Sequence, residues 1–398
     1  MKPNVFPLVA RDAVRLLRAS QIREVANTGM GRSDVLAFWF GEPDEVTPDF
    51  IRRAAVDALA SGDTFYTQNL GIPALREAIA AYVTRLHGST RPTRVDGIAV
   101  TNSGMSALMV ATQALAGPGD RVVEVTPLWP NLVEIPKILG AQVQCVALRF
   151  TPQGWRLDLD ELLAALAPGT RAVYVNSPNN PTGWTLDRSD QRAILEHCRR
   201  LGIWILADDA YERLYYEGAD GVAVAPSFLD LADAGDRVIS INTFSKSWLM
   251  TGWRLGWIAM PAELIRDVGT LIEYNTCCAP GFVQKAGIAA ITQGEPVIAH
   301  TVARFRAARD FLIARLRRIE RVVAATPPGA MYAFFRVRGV EDSLAFCKRL
   351  VAEAGLGLAP GSAFGPEGEG CVRWCFAAGE ARLAQGVERL ERFLATDR

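Results

Sequence analysis

From about residue 97 the chain repeats one grammar: a short β-branched or otherwise apolar run, a turn, then a longer stretch with apolar positions three and four apart. The runs are GIAVT (97–101), RVVEV (121–125), QVQCVAL (142–148), RAVYVN (171–176), WILAD (204–208), VISIN (238–242) and LGWIAM (255–260). Between them lie SALMVATQAL, DELLAALA and RSDQRAILEHCRR, whose patterns predict helices. Strands that alternate with helices need crossover connections, so the expectation is an α/β fold with a mainly parallel, seven-stranded sheet covered by helices. Beyond about residue 281 the pattern changes to helices (FVQKAGIAAI, then VIAHTVARFRAARDFLIARLRRI after a Gly294-Glu295-Pro296 break) and short strands around AMYAFFRV and CVRWCFA. That predicts a second, smaller α+β domain. The expected division is a large domain over 46–290, with 1–45 and 291–398 forming an N-terminal arm and the small domain. No internal repeat or low-complexity linker interrupts the chain.

Composition narrows the class. The 398 residues carry 43 basic and 43 acidic side chains, with 49% apolar and 22% charged, an ordinary globular balance without a basic excess for nucleic acid. Prolines and charges break up the start, MKPNVFPLVARDAVRLLRAS, and no later apolar stretch approaches the roughly 18 residues of a membrane span. The reading is a soluble cytoplasmic protein. Seven cysteines without a CxxC pair fit reduced thiols, and three histidines without HExxH make no metal site. Only five basic residues are lysines (Lys2, Lys137, Lys246, Lys285, Lys348), so chemistry that needs an amine nucleophile has few candidates.

Ligands of such sheets bind beyond the carboxyl ends of the strands, and polar residues follow several runs directly. Thr101-Asn102-Ser103-Gly104-Met105 leaves a strand and enters a helix, which aims backbone amides at an anion; alone, this equally fits a helix cap. Ser177-Pro178-Asn179-Asn180-Pro181-Thr182-Gly183 is a rigid loop that holds the Asn180 amide at a strand end. Asp208, after five mostly apolar residues, needs a positive partner such as a protonated pyridine nitrogen, whereas Asp209 equally fits a helix cap. Lys246 follows Thr243-Phe244-Ser245, with Arg254 eight residues on; hydroxyls and a guanidinium suit a phosphate, and desolvation beside cations lowers an amine pKa. Arg373 sits in the apolar Cys371-Val372-Arg373-Trp374-Cys375 strand, where it matches a substrate carboxylate or, as readily, an internal acid.

These residues resemble the class I/II aminotransferases, pyridoxal-phosphate enzymes of fold type I. SPNNPTG (177–183), DDAY (208–211), FSK with MTGWRLGW (244–257), TNSG (101–104), YTQNLGIPALREAIA (66–80) and VRWCFA (372–377) occur in the family's order. The resemblance implies a transaminase in which Lys246 carries the cofactor aldehyde and shuttles the proton, while Asp208 keeps the ring nitrogen protonated. Tyr211 and Asn180 would bind the phenolic oxygen and Trp129 would stack on the ring. Ser103, the Gly104 and Met105 amides, Thr243, Ser245 and Arg254 would hold the phosphate. Tyr66 would reach the phosphate of the neighbouring subunit in a homodimer. Arg373, helped by Asn180 and the Gly41 loop, would bind the substrate carboxylate.

Met105 occupies the position where some aspartate-using relatives place a lysine, which speaks against strict aspartate specificity. The tryptophans and the Tyr274–Pro280 segment point to an apolar side-chain pocket. Two other readings share these residues: a β-lyase or other amino-acid-converting enzyme of the same fold, and a non-catalytic ligand sensor. The first 40 residues are too few for an added DNA-binding domain, which argues against the sensor.

Overall fold

The computed structural model of the chain describes residues 8–88, 92–217 and 224–397. All seven apolar runs form strands of one sheet: Ile98–Thr101 (β1), Arg121–Thr126 (β2), Gln142–Ala147 (β3), Thr170–Asn176 (β4), Trp204–Asp208 (β5), Val238–Thr243 (β6) and Gly256–Ala259 (β7). Side chains alternate between the faces of a strand, and both faces are covered here, so most runs are apolar at nearly every position. Val122, Tyr174, Leu206, Ile239 and Ile258 pack on one side with the helices Gly104–Leu115 and Ile265–Asn275; Val123, Val175, Ile205, Ala207 and Trp257 pack on the other.

The spatial order is β1-β7-β6-β5-β4-β2-β3. Neighbours are parallel except at β7, which runs antiparallel to both β1 and β6. This reversal decides where the chemistry lies. The start of β7 sits at the carboxyl edge of the other six, with Gly256 opposite Thr101 on one side and Thr243 on the other. Residues after β1, β5 and β6 and those before β7 therefore meet at one edge, where open α/β sheets bind ligands.

Residues from 295 onward build a four-stranded antiparallel sheet, ordered Val322–Val323, Tyr332–Val337, Cys371–Cys375, Ala359–Pro360, packed with the helices Glu295–Leu316, Ser343–Ala354 and Glu380–Thr396. The predicted break before Glu295–Leu316 is one residue wide: Gly294 ends one helix and starts the next, with proline in the first turn, where its missing N–H costs nothing. Leu36–Ala37 pairs in parallel with Leu356–Gly357 and ties the N-terminal segment to this sheet's helices. Two residues are too short a run for sequence patterning to register.

Candidate active site

The turn after β1 puts Ser103 at the N-cap of Gly104–Leu115, where its Oγ accepts the Ser106 amide at 3.3 Å. Across β7, the Thr243 hydroxyl donates to Ser245 Oγ at 2.9 Å. Gly256 is required here, because a Cβ would lie 2.6 Å from the Gly104 nitrogen. Arg254, in left-handed backbone just before β7, donates to the Thr251 carbonyl at 2.7 Å and pairs with no carboxylate among the described residues. Burial pulls its pKa below the usual arginine value. A helix N-terminus, two hydroxyls and an acid-free guanidinium thus share one corner, a donor set that suits a phosphate.

Asp208 ends β5 and is 5% exposed; its Oδ1 accepts the Ala210 amide at 3.2 Å. Burial raises its pKa to about 6, against the opposing pull of that hydrogen bond and of Lys246. A buried carboxylate with so few donors calls for a cation within the cavity. Lys246 donates its Nζ to the Gly41 carbonyl at 2.6 Å, and burial lowers its pKa to about 8, so the free amine is within reach near neutral pH. Asn176, the last residue of β4, places the loop that follows: its Oδ1 accepts the Asn180 amide at 2.7 Å and its Nδ2 donates to the Asp208 carbonyl at 3.0 Å.

The small sheet supplies the opposite wall. Arg373, 2% exposed, donates to Asn180 Oδ1 at 2.8 Å and to the Trp39 carbonyl, and its guanidinium lies 4.4 Å from the Tyr332 ring centre and 4.8 Å from that of Phe364. No acid meets it among the described residues, and its Nε is buried without a partner. Tyr332, which sequence reasoning missed, binds the Tyr211 hydroxyl at 2.7 Å, and its own hydroxyl lies where a Cβ on Gly41 would stand. Its signal was available only through register: Phe334 lies opposite Arg373 and Tyr332 opposite Cys375, so all four share a face.

Gly41, Gly104, Met105, Trp129, Asn180, Asp208, Tyr211, Thr243, Ser245, Lys246, Arg254 and Arg373 line one cavity of about 400 Å³, and Ser103 caps the helix at its edge. Tyr66 does not line it. That side chain is 88% exposed, beside Phe65 at 83%. The Tyr274–Pro280 segment also lies outside the cavity of the single chain. Among the described residues no cluster of His, Cys, Asp or Glu is arranged to hold a metal ion.

A family model described as aminotransferase class I and II matches residues 33–390, and the chain belongs to that family. It is 33% identical to an aspartate aminotransferase of Pyrococcus horikoshii over 96% of both chains. It is 29% identical to an aromatic-amino-acid aminotransferase of Thermococcus litoralis, over 96% of this chain and 97% of that one. The solved structure of an aspartate aminotransferase from Thermotoga maritima superposes with a TM-score of 0.89 at 31% identity, covering 97% of this chain and all of that one. The fold is therefore that of fold type I, and the protein is an aminotransferase whose cofactor is pyridoxal phosphate. The donor set fits that group: an anion corner, a buried acid for a ring nitrogen, and a desolvated lysine in one cavity.

Proposed function

We propose that this chain moves an amino group from an L-amino acid to a 2-oxo acid in two half-reactions centred on Lys246. Bound pyridoxal phosphate supplies an aldehyde that condenses with amines and a protonated ring that draws electrons from the substrate Cα. Lys246 would hold the group through its Nζ and, with its amine free, would take up and return the proton of the substrate Cα. Asp208 would keep the ring nitrogen protonated. Tyr211 and Asn180 would hold the phenolic oxygen, Trp129 would cover the ring, and Ser103, the Gly104 and Met105 amides, Thr243, Ser245 and Arg254 would bind the phosphate. Arg373 orients the substrate carboxylate, with the Gly41 loop screening it from water. The observation that carries this reading is a half-buried lysine, lowered to about 8, in one cavity with an acid and an arginine that form no ion pair among the described residues.

We further infer a homodimer in which Tyr66 reaches the neighbouring site. In support, Phe65, Tyr66 and Tyr274 are more than four-fifths exposed, and Thr67 ties its loop to the Ala279 carbonyl. A division into lobes 46–290 and 1–45 with 291–398 is supported by the two separate sheets and the Leu36–Leu356 pairing. Free thiols at all seven cysteines support a cytoplasmic setting, and no described helix is long and apolar enough to cross a membrane.

The test is Lys246→Ala beside Lys285→Ala. The first variant is expected to fold, bind the vitamer without its characteristic visible absorbance and lose nearly all turnover; the second is expected to behave as the parent. Equal losses would show that another amine is used.

A further inference from the structure

Behind the turn that carries Asp208 and Tyr211, and outside the cavity, the buried residues His87, Asp209, Glu212, Ser227 and Asp230 close a circuit of hydrogen bonds. His87 Nε2 meets Glu212 Oε2 at 3.0 Å, and its Nδ1 meets Asp230 Oδ1 at 2.9 Å. The Ser227 amide donates to Asp230 Oδ2 at 3.1 Å, and the Ser227 hydroxyl donates to Asp209 Oδ2 at 3.2 Å. The Glu212 amide, which donates to the Asp209 carbonyl at 2.9 Å, completes the path. Ser240 of β6 donates to the same Asp209 oxygen at 2.6 Å and ties the circuit to the sheet. Asp209 directly follows Asp208, and Glu212 directly follows Tyr211. Each of the two residues assigned to the cofactor ring therefore has a member of the circuit as its neighbour in the chain.

Every carboxylate oxygen facing His87 or flanking it accepts a bond. Glu212 Oε1 takes the Tyr82 hydroxyl at 3.3 Å, and Asp230 Oδ2 takes Arg188 at 2.9 Å besides the Ser227 amide. His87 must then donate from both ring nitrogens, which only the imidazolium can do. Burial pulls its pKa down, and the hydrogen bonds to Asp230 and Glu212 carry it up to about 10. Its place at the carboxyl end of the helix Pro73–His87 also favours a cation. A neutral side chain there would take from Glu212 and Asp230 the charge they share. We propose that His87 is a positioning residue for transamination: clamped as a cation between Glu212 and Asp230, it holds the turn so that Asp208 faces the ring nitrogen of the cofactor and Tyr211 its phenolic oxygen. The proposal rests on the transaminase reading of this site.

The test compares the holoenzymes of the parent, His87→Gln and Ser227→Ala, with whichever of aspartate, glutamate, alanine, leucine and phenylalanine the parent turns over fastest and 2-oxoglutarate or pyruvate as acceptor. In His87→Gln, kcat is expected to fall about tenfold or more through misplacement of the ring contacts. KM is expected to change less than about threefold, because Arg373 stands on the small sheet and makes no bond in the circuit. The pH midpoint of the visible absorbance is expected to rise by at least about half a pH unit, since a donor on the phenolic oxygen and a protonated ring nitrogen both favour release of the chromophore's proton. Ser227→Ala removes one hydroxyl and keeps the cation, so it is expected to fold and to show the same two changes more weakly. It decides the matter alone if His87→Gln does not fold. A midpoint and kcat at the parent's values in Ser227→Ala, or a loss in folded His87→Gln that is confined to thermal stability or to KM, would overturn the proposal. Turnover of an amino acid by the parent separates these outcomes from failure of the transaminase reading, in which no donor would react.

Discussion

Among the described residues Arg373 keeps a buried charge without an acid: an amide oxygen, a backbone carbonyl and two aromatic faces surround it, and its Nε meets no partner. Such a site is unfinished until a carboxylate arrives. Arg373→Ala is therefore expected to raise KM for every amino acid by about ten- to a hundredfold, since one bidentate charge-assisted contact is worth about 1.5 to 3 kcal/mol; an unchanged KM would remove that role. Tyr332→Phe deletes only the hydroxyl between Tyr211 and the Gly41 turn, so its loss should fall mainly on kcat and shift the pH midpoint of the holoenzyme's visible absorbance. A change in KM alone, with the midpoint unmoved, would make it a packing residue. Lys246, Asp208, Asn180 and Arg373 were legible in the sequence because each is a polar residue inside or just after an apolar run. Tyr332 was not, because an aromatic in a strand acquires meaning only from the register that aims it.

Among the elements, β2 carries the costliest exception to the apolar pattern. Glu124 lies on the face shared with Val122 and Tyr174, fully buried, with neither oxygen hydrogen-bonded among the described residues. Burial pushes its pKa up to about 8 from an ordinary 4.5. The folded protein then holds a proton that the unfolded chain releases, so this residue's contribution makes stability fall as pH rises through that window. Glu124→Gln is expected to match the parent's unfolding free energy in urea near pH 5 and to exceed it increasingly toward pH 8, by about 1 to 3 kcal/mol, with one pKa unit worth about 1.4 kcal/mol. A difference independent of pH would mean that the carboxylate finds a partner. The strands themselves were readable because a doubly covered sheet demands unbroken apolar runs; the reversal of β7 was not, since a buried strand reads the same in either direction.

At the level of the whole molecule, the site lies between a large, mainly parallel sheet and a small antiparallel one, with Lys246 from the first and Arg373 from the second. If Tyr66 completes the partner's site, Lys246→Ala and Tyr66→Ala chains, each nearly inactive alone, should regain activity when unfolded together and refolded as a mixture, through hybrid dimers with one intact site. No recovery beyond the sum of the separate variants would argue for self-contained sites. Chain order revealed the two sheets, but not how the N-terminal segment joins the small lobe, because Leu36–Ala37 pairs with Leu356–Gly357 across more than 300 residues. The central claim is a covalent one and is tested most directly by borohydride reduction of the holoenzyme followed by peptide mass mapping. The account predicts that the reduced pyridoxyl phosphate group stays on the peptide containing Lys246; a colourless protein that retains no label, or a label on Lys137, Lys285 or Lys348, would contradict it.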